Sequence, residues 1–473
     1  MPSINGPPSA NGFRSAGTVI ERRAAAHEQA LRYQASVWVR HTQATEQTLY
    51  LNVKKVDGSG TDYHIIANRS IQPGVWTQIM GFYVPEIDGV LSTLNLYVVS
   101  GNGSTFDFSS DDFFLGETEA YDPPTGSQAH DFVRADGPDL VVGADHDVIR
   151  FNGINVTVPV DASDDAEDVW NTKAVSARDF ANIRAIGFNA VRLHMNYKSF
   201  EDDANPGVFK TDGWHWLDRA VALAKDAGLY LMLDMHAPQG GYQSDKTPGF
   251  PAFWDGSGAA PNTVNQDRLL ALWQAIAARY RHEPTILGYD LINEPRPHDS
   301  EEWYAYAEQL IAAIRQVDSR HLIVVEAPLI SNYSFRLVND ANVLYDSHFY
   351  SPWEYTTQYS TAYGNAGERW GKYDSPDNPL GASFDKDYLR DYLQGDVLDF
   401  TVSNHVPTDI GEYGVVHEAF PRDVNALGWI DDIHAILNGD NSGGMQASRF
   451  YFSYQGGTFG LYPNWLGFHA EHI

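Results

Sequence analysis

From residue 148 onward the chain repeats one pattern: a short, almost continuously apolar run, then an amphipathic stretch of helical period. The runs fall at 150–156, 188–194, 229–235, 286–292, 321–326, 342–347, 408–411 and 447–452. Runs such as "LYLMLDMH" and "HLIVVEA" leave no polar face, which suits strands covered on both sides, as in a parallel sheet. Between them, "WHWLDRAVALAKDAG" sets Trp214, Leu217, Val221 and Ala224 on one helical face and stops at Gly228. "DRLLALWQAIAARY" does the same with Leu269, Leu272, Trp273, Ile276 and Tyr280. Eight such units predict a closed (β/α)8 TIM barrel with long loops on one side. A doubly wound open sheet is the alternative, but no G-x-G-x-x-G follows the first strand. The last stretch, "FGLYPNWLGFHAEHI", leaves little room for a closing helix, so closure is the weakest part of this expectation.

The chain ahead of the barrel has a different texture. Residues 1–27 are rich in Pro, Gly, Ser and Ala and read as a disordered tail. Residues 28–118 alternate apolar and polar side chains over short spans separated by turns, which predicts an all-β sandwich. Residues 119–131, polar and carrying Pro-Pro, read as a linker, and the barrel takes 132–473.

Composition narrows what such a chain handles. Lys and Arg number 32 against 62 Asp and Glu, a net charge of −30. That excludes nucleic acid and anionic membrane surfaces as partners, since both need basic patches, and it suits a neutral substrate. Cysteine is absent, which removes disulfides, thiolate metal sites and a cysteine nucleophile. No apolar run approaches a membrane span, and the start, "MPSINGPPSANGFRSAG", lacks the apolar centre of a signal peptide. Aromatic residues make up 13% of the chain; they serve either a large core or a surface that stacks on flat ligands such as sugar rings.

In a TIM barrel the C-terminal strand ends line the active site. Here the second strand carries Arg192 and His194, and the third ends at His236. The fourth runs directly into Asn293 and Glu294, the sixth ends in "SHFY" with His348 and Tyr350, and the seventh in "GEYG" with Glu412. His194 reads equally well as a packed core histidine, and Arg192 as a buried ion-pair partner. Glu294 and Glu412 resist that reading, because a buried carboxylate is costly unless hydrogen-bonded or functional. Strands four and seven are not neighbours, so their ends face each other across the mouth. Two carboxylates on one rim suit glycoside hydrolysis, one as acid/base and the other attacking or activating water. A zinc hydrolase would need a local ligand pair such as H-E-x-x-H, and a serine hydrolase its G-x-S-x-G elbow; neither is present.

Together these residues resemble glycoside hydrolase family 5. The resemblance rests on "NAVRLHM", "LDMHAPQGGYQS", "GYDLINEP", "YDSHFYSPWEYTTQ" and "GEYG", in that order, within roughly residues 148 to 462. It implies a retaining glycosidase with no cofactor and no metal, acting on a β-linked polysaccharide or oligosaccharide. Glu294 would be the acid/base and Glu412 the nucleophile. Asn293 would hold the sugar 2-hydroxyl, Arg192 and Tyr350 would contact the nucleophile, and His348 would lie near the acid/base. His236 would reach hydroxyls on the non-reducing side. Glu294 must carry a proton while Glu412 is ionised, and retention implies carboxyl groups roughly 5–5.5 Å apart. The family usually places a stacking Trp at the end of strand eight; here Phe452 or Tyr454 stands near that place. The rim-loop aromatics Tyr242, Trp254, Trp353 and Tyr355 either line further subsites or pack.

The segment before the linker is similar to carbohydrate-binding modules of families 4, 9 and 22, through "YQASVWVR", "GVWTQIMGFYV", "LNLYVV" and "FSSDDFFLGE". It reads as short of its opening strands, which should precede Tyr33. Trp38 and Trp76 serve as core or as ligand platforms. Asp111 and Asp112 read as a solvated turn, with a structural calcium site as the alternative. The activity implied first is a retaining endo-β-1,4-glucanase (cellulase). Mannan, xyloglucan or xylan on the same catalytic frame, and an exo-β-glucosidase, are the alternatives. A non-catalytic polysaccharide-binding protein is the reading from another class, and it would be expected to have lost Glu294 or Glu412. A polymeric substrate implies an extracellular or periplasmic place of action.

Overall fold

The computed structural model describes residues 14–16, 33–83, 85, 87–100, 106–117, 131–157, 177–240, 253–254, 263–330, 335–362, 370–454 and 458–461 of the 473. Residues 119–130 of the expected linker, and Tyr242, lie outside the described residues. The chain divides into two compact units; Met1–Asp122 belongs to the first, and most of the chain from Pro123 to Ile473 to the second.

The first unit is a β-sandwich. Strands β1 (Arg14–Ala16), β2 (Tyr33–His41), β3 (Gln47–Asp57), β4 (Gly60–Ile71), β5 (Thr77–Tyr83), β6 (Thr93–Ser100) and β7 (Phe108–Glu117) form two antiparallel sheets, ordered β1–β6–β3–β4 and β5–β2–β7. The two-residue side-chain period sends Leu49, Leu51 and Val53 of β3 and Leu94, Leu96 and Val98 of β6 into a shared core with Val37 and Ile79 of the other sheet. Two expectations are corrected here. Residues 14–16, assigned by composition to the disordered tail, pair with β6 as an edge strand, Ser15 opposite Tyr97. Backbone pairing makes such an edge without any apolar alternation, so the sequence carries no sign of it. Asp111 and Asp112 lie within β7, not in a turn, with Asp111 opposite Trp38 on β2. Trp38 is half-buried, and Trp76 is exposed.

The second unit begins with a three-stranded antiparallel meander, β8 (Arg134–Asp136), β9 (Asp139–Val142) and β10 (Asp147–Ile149). Eight strands then close a parallel barrel in chain order: β11 (Asn152–Val156), β12 (Ala190–Asn196), β13 (Tyr230–Ala237), β14 (Ile286–Asp290), β15 (Leu322–Glu326), β16 (Val343–Phe349), β17 (Thr408–Tyr413) and β18 (Ser448–Tyr451). Closure does not wait on a final helix: β18 pairs with β11, Gly153 opposite Phe450, and with β17 on its other side. Every residue of β12 and all but the first of β13 are buried, which is why those runs lack a polar face. The inner layer at the strand starts, Ala190, Met232, Leu287, Leu322, Leu344 and Phe450, packs against Val133 and Leu140. The meander thus plugs the end of the barrel opposite the strand C-termini. Helix Thr211–Ala227 ends as its sequence indicates, with Gly228 in the left-handed region at φ 67°. Among the described residues no helix is long and apolar enough to cross a membrane.

Candidate active site

Arg192 sits at the centre of the strand-end layer, fully buried. It projects from β12 and donates through Nη1 to Glu412 Oε1 at 2.9 Å and to Asn155 Oδ1 at 3.0 Å. Nη2 reaches Glu326 Oε1 at 2.7 Å and Asn293 Oδ1 at 3.0 Å, and Nε reaches Asp290 Oδ2 at 2.9 Å. Asp234 lies 3.3 Å from Nη2. Only the planar fork of a guanidinium can meet so many acceptors at once. On Glu412 the second oxygen accepts from the Tyr350 hydroxyl at 2.9 Å. Glu412 is therefore held at both oxygens, one by a cation and one by a phenol.

Glu294 follows β14, on a backbone with φ at 43°, where a side chain is strained. Its main-chain N–H donates to Glu326 Oε2 at 2.7 Å. Its carboxylate Oε1 lies 3.1 Å from His348 Nδ1. A shift of register between Ser347 and His348 sets His348 opposite Glu412 on the neighbouring strand, and Nδ1 is also 3.6 Å from Glu412 Oε2. A carboxylate oxygen of Glu294, one of Glu412 and a ring nitrogen of His348 all lie within 4.8 Å of one another. The two glutamates are thus brought together across the mouth, with an imidazole between them.

His348 and His194 differ in charge. Burial alone would lower His348, but Glu412, Glu326 and Glu294 around it push its pKa up to about 10, so it is a cation at neutral pH. His194 is driven the other way by burial and by the charges of His236 and Arg192, and is neutral. It stacks on His236 with ring centroids 3.8 Å apart, and its Nε2 meets Asn155 Oδ1 at 3.0 Å. His236 is anchored through Nδ1 to Asp234 Oδ2 at 2.8 Å. His194 is thus packed in the core, with His236 stacked against it.

Sequence reasoning passed over a layer of acids beneath the site. Asp290, Glu326, Asp346 and Asp409, with Asn155, line the barrel interior and are buried. Burial pushes Asp290 up to about 6 despite Arg192, and Asp409 up to about 8. Asp346, opposite Asp409 on the neighbouring strand, is also pushed up, by burial and by the Asp409 charge. Gly411 is required beside them, because a Cβ there would stand 2.1 Å from Asp346 Oδ2. Burial raises Glu326 as well, yet both its oxygens accept N–H donors, so the proton of the Glu326–His348 pair belongs on the imidazole. The available signal was the recurrence of one acid in an otherwise apolar run: "LDMH", "GYDL", "VVEA", "YDSHF", "TDIGE".

The aromatic candidates divide. Phe452 is half-buried beside the site, 5.8 Å from His194 and 6.3 Å from Tyr350, centroid to centroid. Trp353 is 45% exposed and lies edge-on to Tyr350 at 5.8 Å. Tyr454 is fully buried and directs its hydroxyl to Asp179 at 3.3 Å, so it is not a platform. Trp254 packs edge-on against Phe253, Trp303 and Tyr306, and Tyr355 is buried with its hydroxyl on Val424 O; both belong to the packing. Loop sequence gives a ring but not the side of the loop it faces, which is why these three were open.

Asp234, Asp290 and Glu326 stand close enough to surround a cation, but the cation among them is Arg192 itself. The chemistry of the site is that of carboxylates, imidazole and phenol.

A barrel whose rim opposes an imidazole-bridged pair of glutamates is the frame of a glycosidase. The chain belongs to glycosyl hydrolase family 5: the family description "Cellulase (glycosyl hydrolase family 5)" matches residues 143–441, and "Carbohydrate binding domain" matches residues 23–105. A β-xylosidase of Phanerodontia chrysosporium is 31% identical over 182 residues, 38% of this chain and 37% of that protein. Endoglucanase C of Acetivibrio thermocellus is 28% identical over 297 residues, 57% of this chain and 82% of that protein. The chain thus spans little more than a third of the first relative's length and most of the second's. Among solved structures, the cellulose synthase subunit Z of Clostridioides difficile shares the fold, with a TM-score of 0.52 and 22% identity over 67% of this chain and 95% of that one.

Proposed function

We propose that this family 5 enzyme is a retaining endo-acting β-1,4-glucanase that meets its polysaccharide outside the cytoplasm, with the sandwich unit binding the same polysaccharide. The observation that carries the reading is the carboxylate pair: oxygens of Glu294 and Glu412 approach within 4.8 Å. That spacing supports double displacement, since an inverting pair is opened to roughly 6.5–9.5 Å to admit a water.

Glu412, held at one oxygen by Arg192 and at the other by Tyr350, attacks the anomeric carbon as Glu294 gives its proton to the departing glycosidic oxygen. The C–O bond breaks, the leaving chain departs as an alcohol, and a covalent glycosyl–Glu412 ester forms. Glu294, now ionised, takes a proton from water, whose oxygen displaces Glu412 and releases a sugar of retained configuration. Arg192 occupies Asn293 Oδ1, which leaves the amide NH2 to donate to the sugar 2-hydroxyl. His236, fixed by Asp234, is the residue that reaches sugar hydroxyls.

Reducing-sugar release from carboxymethylcellulose, barley β-glucan, xyloglucan, glucomannan and xylan, by wild type and Glu412→Gln, tests this. Activity on the glucans that vanishes in the variant is expected. Activity confined to mannan or xylan would keep the mechanism and replace the substrate, and identical behaviour of the two proteins would end the glycosidase reading.

A further inference from the structure

We infer that Glu326 is the positioning residue of this site, whose carboxylate fixes the acid/base Glu294 in its productive geometry and ties it to the nucleophile through Arg192. The inference rests on the glycosidase reading above and deepens it.

Glu326 is the last residue of β15, only 2% exposed, with its main-chain carbonyl accepting from Trp303 Nε1 at 2.8 Å. One carboxylate oxygen accepts from Arg192 at 2.7 Å, the other from the main-chain N–H of Glu294 at 2.7 Å. His348 Nε2 is 3.5 Å from the second oxygen, while its Nδ1 faces Glu294 at 3.1 Å. Glu326 therefore touches two of the groups that set Glu294's position, its own backbone and the imidazole its carboxylate meets, while Arg296 stands 3.9 Å from the other carboxylate oxygen. The backbone contact matters most, because Glu294 occupies the left-handed region at φ 43°, a conformation that persists only where surroundings impose it. Supporting bonds of this kind decide whether a reacting group stands where proton transfer requires, and small misplacements are costly in rate.

Two donors meet Glu326, one at each oxygen, and both need an acceptor. An amide supplies only one acceptor and turns an NH2 group towards the other donor. In Glu326→Gln, Arg192 keeps Asp290, Asn155, Asn293 and Glu412 as acceptors. The N–H of Glu294 instead loses the carboxylate that accepts from it. The damage should fall on proton donation to the leaving group and spare attack by Glu412.

Leaving-group chemistry separates those steps. Dinitrophenyl β-cellobioside releases a phenolate that needs no proton, whereas phenyl β-cellobioside needs one. The measurement is kcat/KM of wild type and Glu326→Gln on both, which reports the steps through cleavage of the glycosidic bond. Expected is a loss of about tenfold to a hundredfold on the phenyl glycoside, no more than the low end of the roughly hundredfold to ten-thousandfold that a general acid contributes because Glu294 is displaced and not removed, with the dinitrophenyl value held within about threefold and Glu326→Asp recovering part of the loss. Equal losses on the two glycosides would overturn the proposal, since they would mark a general structural role. If Glu326→Gln does not fold, judged by its melting curve, the same ratio is read in Glu326→Asp, which keeps the charge but withdraws it by a methylene. A wild type inert on both cellobiosides and on all five polysaccharides above would instead overturn the glycosidase reading and this proposal with it.

Discussion

The hydroxyl of Tyr350 donates to Oε2 of Glu412 at 2.9 Å, on the oxygen that Arg192 does not hold. A hydrogen bond to a charged acceptor contributes about 1.5–3 kcal/mol, so Tyr350→Phe should lower kcat/KM by about tenfold to a hundredfold. A Tyr350→Phe variant that keeps the wild-type kcat/KM would show that the bond is not made in the working enzyme.

Arg192 answers four carboxylates, Asp234, Asp290, Glu326 and Glu412, from a site with no solvent exposure. Removing one partner of a buried ion pair strands the other and costs about 3–5 kcal/mol. Arg192→Met should therefore lose stability of that order in denaturant unfolding, together with activity. Arg192→Lys should keep more stability but little activity, because an ammonium cannot span Glu412, Asn155, Glu326 and Asn293 at once. A methionine variant that unfolds within about 1 kcal/mol of wild type, on the order of the error of extrapolation, would contradict this account of the layer.

The barrel and its rim were legible because buried parallel strands force apolar runs, so a polar residue at a run's end stands out. Arg192, His236, Asn293, Glu294, His348, Tyr350 and Glu412 were all visible in that way. Asp290, Glu326, Asp346 and Asp409 were not, because their meaning lies in register: Glu326 opposite Asp346, and Asp346 opposite Asp409. No run of residues states which strands will face each other across a closed sheet. The bond from Glu326 to the backbone of Glu294 depends on a positive φ, which an Asn-Glu-Pro string does not announce. Trp254 and Trp353 look alike in sequence and differ only in the side of the loop they occupy.

Stability should fall as pH rises above neutrality. His348 is raised from 6.5 to about 10 in the folded chain, so its contribution is complete below 6.5 and is lost as pH climbs through 10. Asp409, raised from 3.8 to about 8, keeps its proton in the fold where the unfolded chain has lost it, so its effect has the same sign up to pH 8. His434, lowered from 6.5 to about 4, acts oppositely but only between those two values. Above 6.5 these terms therefore agree, each worth up to about 1.4 kcal/mol per pH unit while its group titrates. Tm should be lower at pH 9 than at pH 7, and Asp409→Asn should flatten that slope. A Tm that rises over the interval would place the excess protons elsewhere.

The two rim tryptophans should separate cleanly when each is cut to alanine. Trp254 is 5% exposed and meets Phe253, Trp303 and Tyr306 edge-on, so Trp254→Ala opens a cavity and should cost about 3–5 kcal/mol of stability. Trp353 is 45% exposed, so its loss should change stability far less. It stands 5.8 Å from Tyr350 and 6.5 Å from Phe459, rings that also neighbour the half-buried Phe452, and Tyr350 donates to Glu412. A sugar ring stacked there would gain about 0.5–1.5 kcal/mol, the range for aromatic pairs, so Trp353→Ala should raise KM for a soluble glucan by about twofold to tenfold with kcat little changed. The paired measurement is a melting curve and a saturation curve on each variant. A Trp353→Ala protein with unchanged KM would assign that ring to the wall of the loop, and the sugar-stacking surface would then have to be sought at Phe452.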